Sequence, residues 1–359
     1  AFLKTWEAAC GATESNPTIV VPRGSFLVYP AVFKGPCKSS ITFRLKGEII
    51  APAKPSAWKG LDQGQWMEFT TLPSGLSFTG TGIVNGSGKG WWDQNCRDHP
   101  TLAGCTTLAP TALRFTSING LTIKDVHVVE SPQSHVLVMM CNSVNVDNFK
   151  TSSPEQSPNT DGLHLQSVQN VTITNSQFAC GDDCVSIGDF TSNVIIKHVE
   201  CGPGHGISIG SLGRDGNVVN VHDINVNDVT FTGTTNGARI KTWQVGKGTV
   251  QRVTFENLKF NSVQNPIIID QNYCDRSTCS EMQTGVHIHD VTFKGMVGTS
   301  STQAAITLNC SKAVPCTGIV LDSIQLTSNV TGQTLTTDCS SAQGITTRSV
   351  QPSLSCLVN

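Results

Sequence analysis

A short pattern recurs along this chain and fixes what it can fold into: apolar, any, Asn/Asp or similar, apolar, any, apolar. It reads Ile123-Lys124-Asp125-Val126-His127-Val128, then Val146-Asp147-Asn148-Phe149, then Ile173-Thr174-Asn175-Ser176-Gln177-Phe178. Ile196-Lys197-His198-Val199, Val226-Asn227-Asp228-Val229, Phe255-Glu256-Asn257-Leu258, Ile288-His289-Asp290-Val291 and Leu321-Asp322-Ser323-Ile324 continue it. The polar marker falls at 125, 148, 175, 198, 228, 257, 290 and 323, in steps of 23, 27, 23, 30, 29, 33 and 33 residues. Each copy reads as two short period-2 strands meeting at a polar corner. One such unit cannot bury its apolar face alone, whereas stacked units share a continuous core. An antiparallel sandwich or propeller would want a tight hairpin in every repeat, yet Asn-Gly occurs only at Asn85, Asn119 and Asn236. The pattern predicts an all-β chain, a single-domain right-handed parallel β-helix over residues 1–359. Residues 1–10 form an amphipathic stretch expected to be a short N-terminal helix that caps the open end of the sheets. From about residue 330 the repeat fades, and 330–359 is expected to be a C-terminal cap stapled by Cys339 and Cys356.

Composition agrees with strands and turns: charged residues are only 14% and glycine is 33 of 359. A net charge of −2 and a pI near 6.5 predict no nucleic-acid partner, so any anion binding must be local. No stretch is long and apolar enough to span a membrane. Fourteen cysteines, several in close pairs (Cys96/Cys105, Cys274/Cys279, Cys310/Cys316), lack zinc-type spacing and read as disulfides. With Asn-x-Ser/Thr sequons at Asn85, Asn170, Asn309 and Asn329, they predict a secreted, extracellular protein. The first residues show no signal-peptide pattern and open in mid-helix, so a leader and some mature sequence are expected before residue 1. No metal or cofactor is expected.

Five polar motifs sit at near-constant spacing: Asn159-Thr160-Asp161, Gly181-Asp182-Asp183-Cys184, Gly204-His205-Gly206, Arg239-Ile240-Lys241 and Asn272-Tyr273. From Asp161 to Asp183 is 22 residues, on to His205 22, to Arg239 34, and to Tyr273 34. In a solenoid, such spacing carries one groove across successive coils, and four steps of ~4.8 Å span roughly 19 Å, suited to a linear polymer. Three crowded carboxylates cannot all ionise freely, which suits a glycosidase needing one protonated acid and one ionised base. Turn aspartates at coil corners are the bland alternative. Asp182 and Asp183 would face opposite ways in a regular strand, so serving one site requires a bend, which Gly181 eases. His205 between two glycines can orient an acid or tune its proton. Arg239 and Lys241, at i and i+2, share the outward face while Ile240 packs inward: either a solvated charged face or a clamp for a carboxylate. Tyr273 offers a ring for a sugar, or is simply half-buried. His135 and Arg214 are weaker candidates at the groove's ends.

Asn-Thr-Asp-Gly, Gly-Asp-Asp-Cys, Gly-His-Gly and Arg-Ile-Lys, in this order and spacing, resemble the polygalacturonases of glycoside hydrolase family 28, plant type. The likeness extends through Gly90-Trp91-Trp92 and Cys201-Gly202-Pro203 over essentially the whole chain, except that the Asp-Gly-rich opening strand is absent. The resemblance implies inverting hydrolysis of α-1,4-galacturonosyl bonds in homogalacturonan (pectin), in the plant cell wall. It implies Asp182 as general acid, Asp161 and Asp183 holding and activating water, and His205 supporting the acid. Arg239 and Lys241 would grip a galacturonate carboxylate, with Tyr273, Asn159 and His135 as further substrate contacts, and Cys184 would pair with Cys201. Carboxylates on adjacent coils, ~5 Å apart, would by separation alone suggest retention; a third carboxylate that holds water favours inversion. The short coils around Gly202-Pro203-Gly204 leave little loop to close the groove, which favours endo cleavage over exo. A calcium-dependent pectate lyase and a non-catalytic adhesive solenoid are the other readings; the acids clustered with a His, apart from the cations, argue against the first, and the intact Asp161, Asp182 and Asp183 against the second. A monomer acting on polygalacturonate, with proteinaceous inhibitors as possible partners, is expected.

Overall fold

The computed structural model describes residues 1–274, 279, 282–354 and 357. They form two compact units, Ala1–Asp183 and Cys184–Asn359. Each is built from parallel strands stacked coil upon coil, and the fold is a right-handed parallel β-helix. In the first unit one column of strands runs through Ala31–Lys34, Gln65–Leu72, Thr111–Lys124, Val136–Met139 and Leu163–Gln166. In the second a matching column runs through Val185–Ile187, Ile207–Leu212, Asn236–Trp243, Asn265–Tyr273 and Ala304–Asn309.

The sequence repeat has a specific backbone cause. All eight marker residues adopt positive φ, from 49° at Asn148 to 62° at Asp125. This left-handed conformation turns the chain from one short strand into the next. Asn and Asp tolerate it better than other residues with a Cβ, which explains their dominance at the marker. Corner residues also link neighbouring coils sideways: the Asn148 amide donates to the corner Asp125 Oδ1 at 2.8 Å, and Asn257 donates at 3.2 Å to Oδ1 of Asn227, the residue before the corner Asp228. The corner residue therefore sets the coil angle and bridges neighbouring coils.

In-register stacking places like side chains above one another. In the first unit Phe33, Phe69 and Phe115 stack at centroid separations of 4.6 and 5.4 Å. In the second, Phe255 stacks on Phe293 at 5.4 Å and Phe231 on Phe260 at 5.5 Å. These columns are fully buried and form the core predicted from the alternating pattern.

The helix Phe2–Cys10 closes the end of the first unit. It buries a single large side chain, Trp6, edge-on to Phe33 and Phe69 at 5.4 and 5.6 Å. The Trp6 indole donates to the Lys34 carbonyl at 3.0 Å, which satisfies its one polar atom. A disulfide from Cys10 to Cys37 ties the helix to the sheet edge. The other end departs from expectation, because the coils do not stop near residue 330. Thr336–Ser340 and Ala342–Gln351 continue the parallel pairing. Their sequence loses the clear apolar alternation because a final coil packs on one side only, and most of its side chains are exposed. The expected Cys339–Cys356 staple lies outside the described residues. Among those residues no helix is long and apolar enough to cross a membrane.

Candidate active site

The acidic motifs lie in the first unit: Asn159-Thr160-Asp161 just before the strand Leu163–Gln166, and Gly181-Asp182-Asp183 just after the strand Gln177–Ala179. Asp182 does not sit in a strand; the chain bends at 181–183. Gly181 is required there, since a Cβ would lie 2.0 Å from the Ser157 carbonyl oxygen. The Gly181 amide donates to Thr160 Oγ1 at 2.8 Å, and Thr160 is itself fully buried against Ser157 at 2.7 Å. The bend is thus locked to the Asn159-Thr160-Asp161 segment through a buried hydroxyl.

The Asp182 carboxylate accepts from two donors: the Asn159 side-chain amide at 3.2 Å and the Asp183 backbone amide at 2.9 Å. Asn159 is held in turn by Arg97, whose guanidinium donates to Asn159 Oδ1 at 3.3 Å. Asp183 is buried, and its carbonyl accepts from the Gly162 amide at 2.9 Å. Behind the bend lies the buried thiol of Cys180, donating to the Asp182 carbonyl at 3.1 Å. Burial pushes this thiol far above its ordinary range, and the charges of Asp161, Asp182 and Asp183 push it further. The charges of all three carboxylates thus reach this one buried thiol. Cys180 is a protonated, inert thiol in these surroundings.

His135 is not where a substrate contact would be. Its side chain is 0% exposed, so it cannot touch a polymer lying outside. Instead its backbone amide donates to the Asp161 carbonyl at 2.8 Å, and its Nδ1 donates to the same oxygen at 3.0 Å. With Nδ1 carrying the hydrogen, Nε2 accepts from the Ser153 hydroxyl at 2.9 Å. Burial drives the imidazole pKa down to about 4, only partly offset by its bonds to Asp161 and its neighbours. His135 is a neutral strut beneath Asp161, and the sequence signal that placed it at the groove was its position one coil earlier.

The basic and aromatic motifs lie in the second unit. Arg239, Ile240 and Lys241 belong to the strand Asn236–Trp243, with Ile240 buried and the two cations sharing the other face. Arg239 Nε donates to Ser208 Oγ at 2.8 Å, its in-register neighbour on the preceding coil. Lys241 Nζ stands 5.5 Å over the centroid of Tyr273. Asp270 pairs in register with Lys241, and burial holds its carboxyl above the usual range, with bonds from Asn272 and Asn309 and the charge of Arg239 pulling the other way. His205 lies in the loop between Ser192–Cys201 and Ile207–Leu212, its carbonyl accepting from the Asn236 amide at 3.2 Å. The following Gly206 has φ of 87°, and a Cβ there would lie 2.2 Å from the Asn236 oxygen. Cys184 and Cys201 form the disulfide implied by the resemblance.

Several participants carried no visible repeat signal. Thr160 lay inside a motif without a role, Ser208 became legible only through register, and Arg97 comes from the disulfide-closed segment between Cys96 and Cys105. Trp243, two residues past Lys241, was detectable from strand alternation alone.

The family model for glycosyl hydrolases family 28 matches residues 10–350, across both units. A polygalacturonase of Malus domestica is 43% identical over 328 residues, covering 91% of this chain and 70% of that protein. An exopolygalacturonase of Oenothera organensis is 40% identical, covering 94% of this chain and 92% of its own. Among solved structures, the polygalacturonase of Erwinia carotovora superposes with a TM-score of 0.72 at 22% identity, covering 89% of each chain.

Proposed function

The chain belongs to the glycosyl hydrolases of family 28, and from that premise we propose that it cleaves the α-1,4-galacturonosyl bonds of homogalacturonan within the polymer, with inversion. It is a glycoside hydrolase of the polygalacturonase type. The observation that carries the mechanism is the Asp182 carboxyl, fixed by the Asn159 side-chain amide and by the Asp183 backbone amide. In this reading Asp182, aimed by those two donors, gives its proton to the glycosidic oxygen. Asp161 and Asp183 hold and deprotonate the attacking water. His205 supports the acid's protonation. Arg239 and Lys241 bind the carboxylate of a galacturonate, with Tyr273 beneath the sugar; the Lys241–Tyr273 geometry supports this, since ring and ammonium present an apolar face and a charge together. Asn159 contributes by orienting Asp182, and His135 by supporting Asp161.

The five disulfides among the described residues support action in an oxidising space, and we place the protein in the plant cell wall. The reading is of one catalytic domain working as a monomer without calcium, and open to proteinaceous inhibitors. A second reading, exo cleavage, is favoured by the exopolygalacturonase among the relatives.

The test is hydrolysis of polygalacturonate by the wild type and by Asp182→Asn, with reducing ends counted and the first-formed anomer read by proton NMR. Loss of the general acid should lower kcat by at least ~100-fold. Early products of mixed length mark endo action, and monomer alone marks exo action. Unsaturated, calcium-dependent products would replace hydrolysis with elimination. A first product retaining the substrate's configuration would remove inversion.

A further inference from the structure

The cation–aromatic pair Lys241–Tyr273 is not alone in the second unit. Tyr273 meets Trp243, its in-register partner on the preceding coil, edge-on at 5.2 Å and 86°. Over the Trp243 ring stands a second cation, the Arg214 guanidinium, 5.5 Å from the ring centroid. The order is Lys241, Tyr273, Trp243, Arg214: two adjacent rings with a cation over each.

The backbone is arranged to produce this pairing. Arg214 is carried by a one-turn 3-10 segment, Arg214–Gly216, that follows Gly213. Gly213 has φ of 76°, and a Cβ on it would lie 2.6 Å from the Gly246 α-carbon. Gly246 closes the turn after Trp243, its amide donating to the Trp243 carbonyl at 3.0 Å. Two glycines in backbone contact thus press the Arg214 segment onto the turn that carries Trp243, and larger residues at either position would lift the guanidinium off the ring. Arg214 is exposed and Trp243 half-buried, so this pair meets solvent; Tyr273 is half-buried and Lys241 buried.

A polygalacturonate carries one carboxylate on every sugar and apolar C–H faces between them. A row of rings with cations over them repeats that chemistry. Arginine's planar fork matches a carboxylate with two parallel hydrogen bonds, and an arginine already seated on a ring has lost less freedom to form them. We propose that Arg214 and Trp243 form a second uronate-docking position, which holds the carboxylate and ring face of a sugar other than the one gripped by Lys241 and Tyr273. This rests on the polygalacturonate reading above. It assigns Arg214 a role in chain-length preference: the position counts only for oligomers long enough to reach both cations.

Calorimetric binding of galacturonate oligomers of graded length to the Asp182→Asn protein, which should bind without turnover, tests this. Adding Arg214→Gln should weaken binding of long oligomers by about tenfold, while the dimer should lose little. Arg214→Lys should restore part of the affinity, because it keeps the charge but not the fork. As Arg214 is exposed, neither change should alter folding, which the unfolding midpoint checks. Equal affinity of the Arg214→Gln protein for long oligomers overturns the proposal. So does an equal proportional loss for the dimer, which would mark a diffuse charge effect. Absence of oligogalacturonate binding by the Asp182→Asn protein itself overturns the substrate reading along with this one, whereas tight binding indifferent to Arg214 overturns this one alone.

Discussion

Replacing His135 with glutamine should change how stability depends on pH by an amount the structure sets. The imidazole is 0% exposed, and burial lowers its pKa from 6.5 to about 4. Between those two values the unfolded chain takes up a proton that the folded chain refuses. The stabilisation tied to neutral His135 is therefore complete above pH 6.5 and disappears as pH falls through about 4. At ~1.4 kcal/mol per unit of pKa, the loss over this window is ~3 kcal/mol. A glutamine can place its N–H toward the Asp161 carbonyl and its oxygen toward Ser153, but it does not titrate. The variant should start less stable than the wild type by ~1–2 kcal/mol at pH 7, from imperfect bonds and packing. That gap should close and then reverse as the pH falls to 4. Equilibrium urea unfolding with disulfides intact, repeated at half-unit steps from pH 7 to pH 4, reads both curves. A constant difference between the two proteins across the range would refute the reasoning: His135 would then be titrating freely, and the neutral strut under Asp161 would not exist.

Two further substitutions probe features that position the site. Gly206→Ala puts a Cβ 2.2 Å from the Asn236 oxygen at a φ of 87°, and should cost ~2 kcal/mol or more while displacing His205; unfolding and kcat should both fall, and an unaffected midpoint would show that the loop has room. Trp6→Ala empties the space against Phe33 and Phe69 and should cost ~3–5 kcal/mol in urea unfolding; a loss below ~1 kcal/mol would mean the helix is not a cap.

The chemistry was more legible in the chain than its supports were. Asp161, Asp182, Asp183, Arg239 and Lys241 stand out because a carboxylate or cation recurring one coil apart has few purely structural uses. The corners Asp125, Asn148 and Asn175 were visible as a repeat, though not as left-handed turns, because sequence shows the preference and not the dihedral. His135 was misread for a related reason. A histidine preceding a strand looks the same whether it faces outward or inward, and only the Asp161 carbonyl above it and the Ser153 hydroxyl beside it show that it points into the wall. Gly181 was read as easing a bend; the close carbonyls of Ser157 at Gly181 and of Asn236 at Gly206 show that both glycines are demanded by crowding.

By itself the sequence determined the period, the parallel stacking and the identity of the charged groups, because these follow from short-range alternation and from spacing that only a coil can satisfy. The tertiary structure decided what each group leans on: Asn159 against Asp182, Ser208 against Arg239, and Gly213 against Gly246 beneath Arg214. Those partners stand 23, 31 and 33 residues apart. Their contact depends on the register between neighbouring coils, and register is settled only when the whole apolar column, Phe33 on Phe69 on Phe115 and its counterparts, closes on itself.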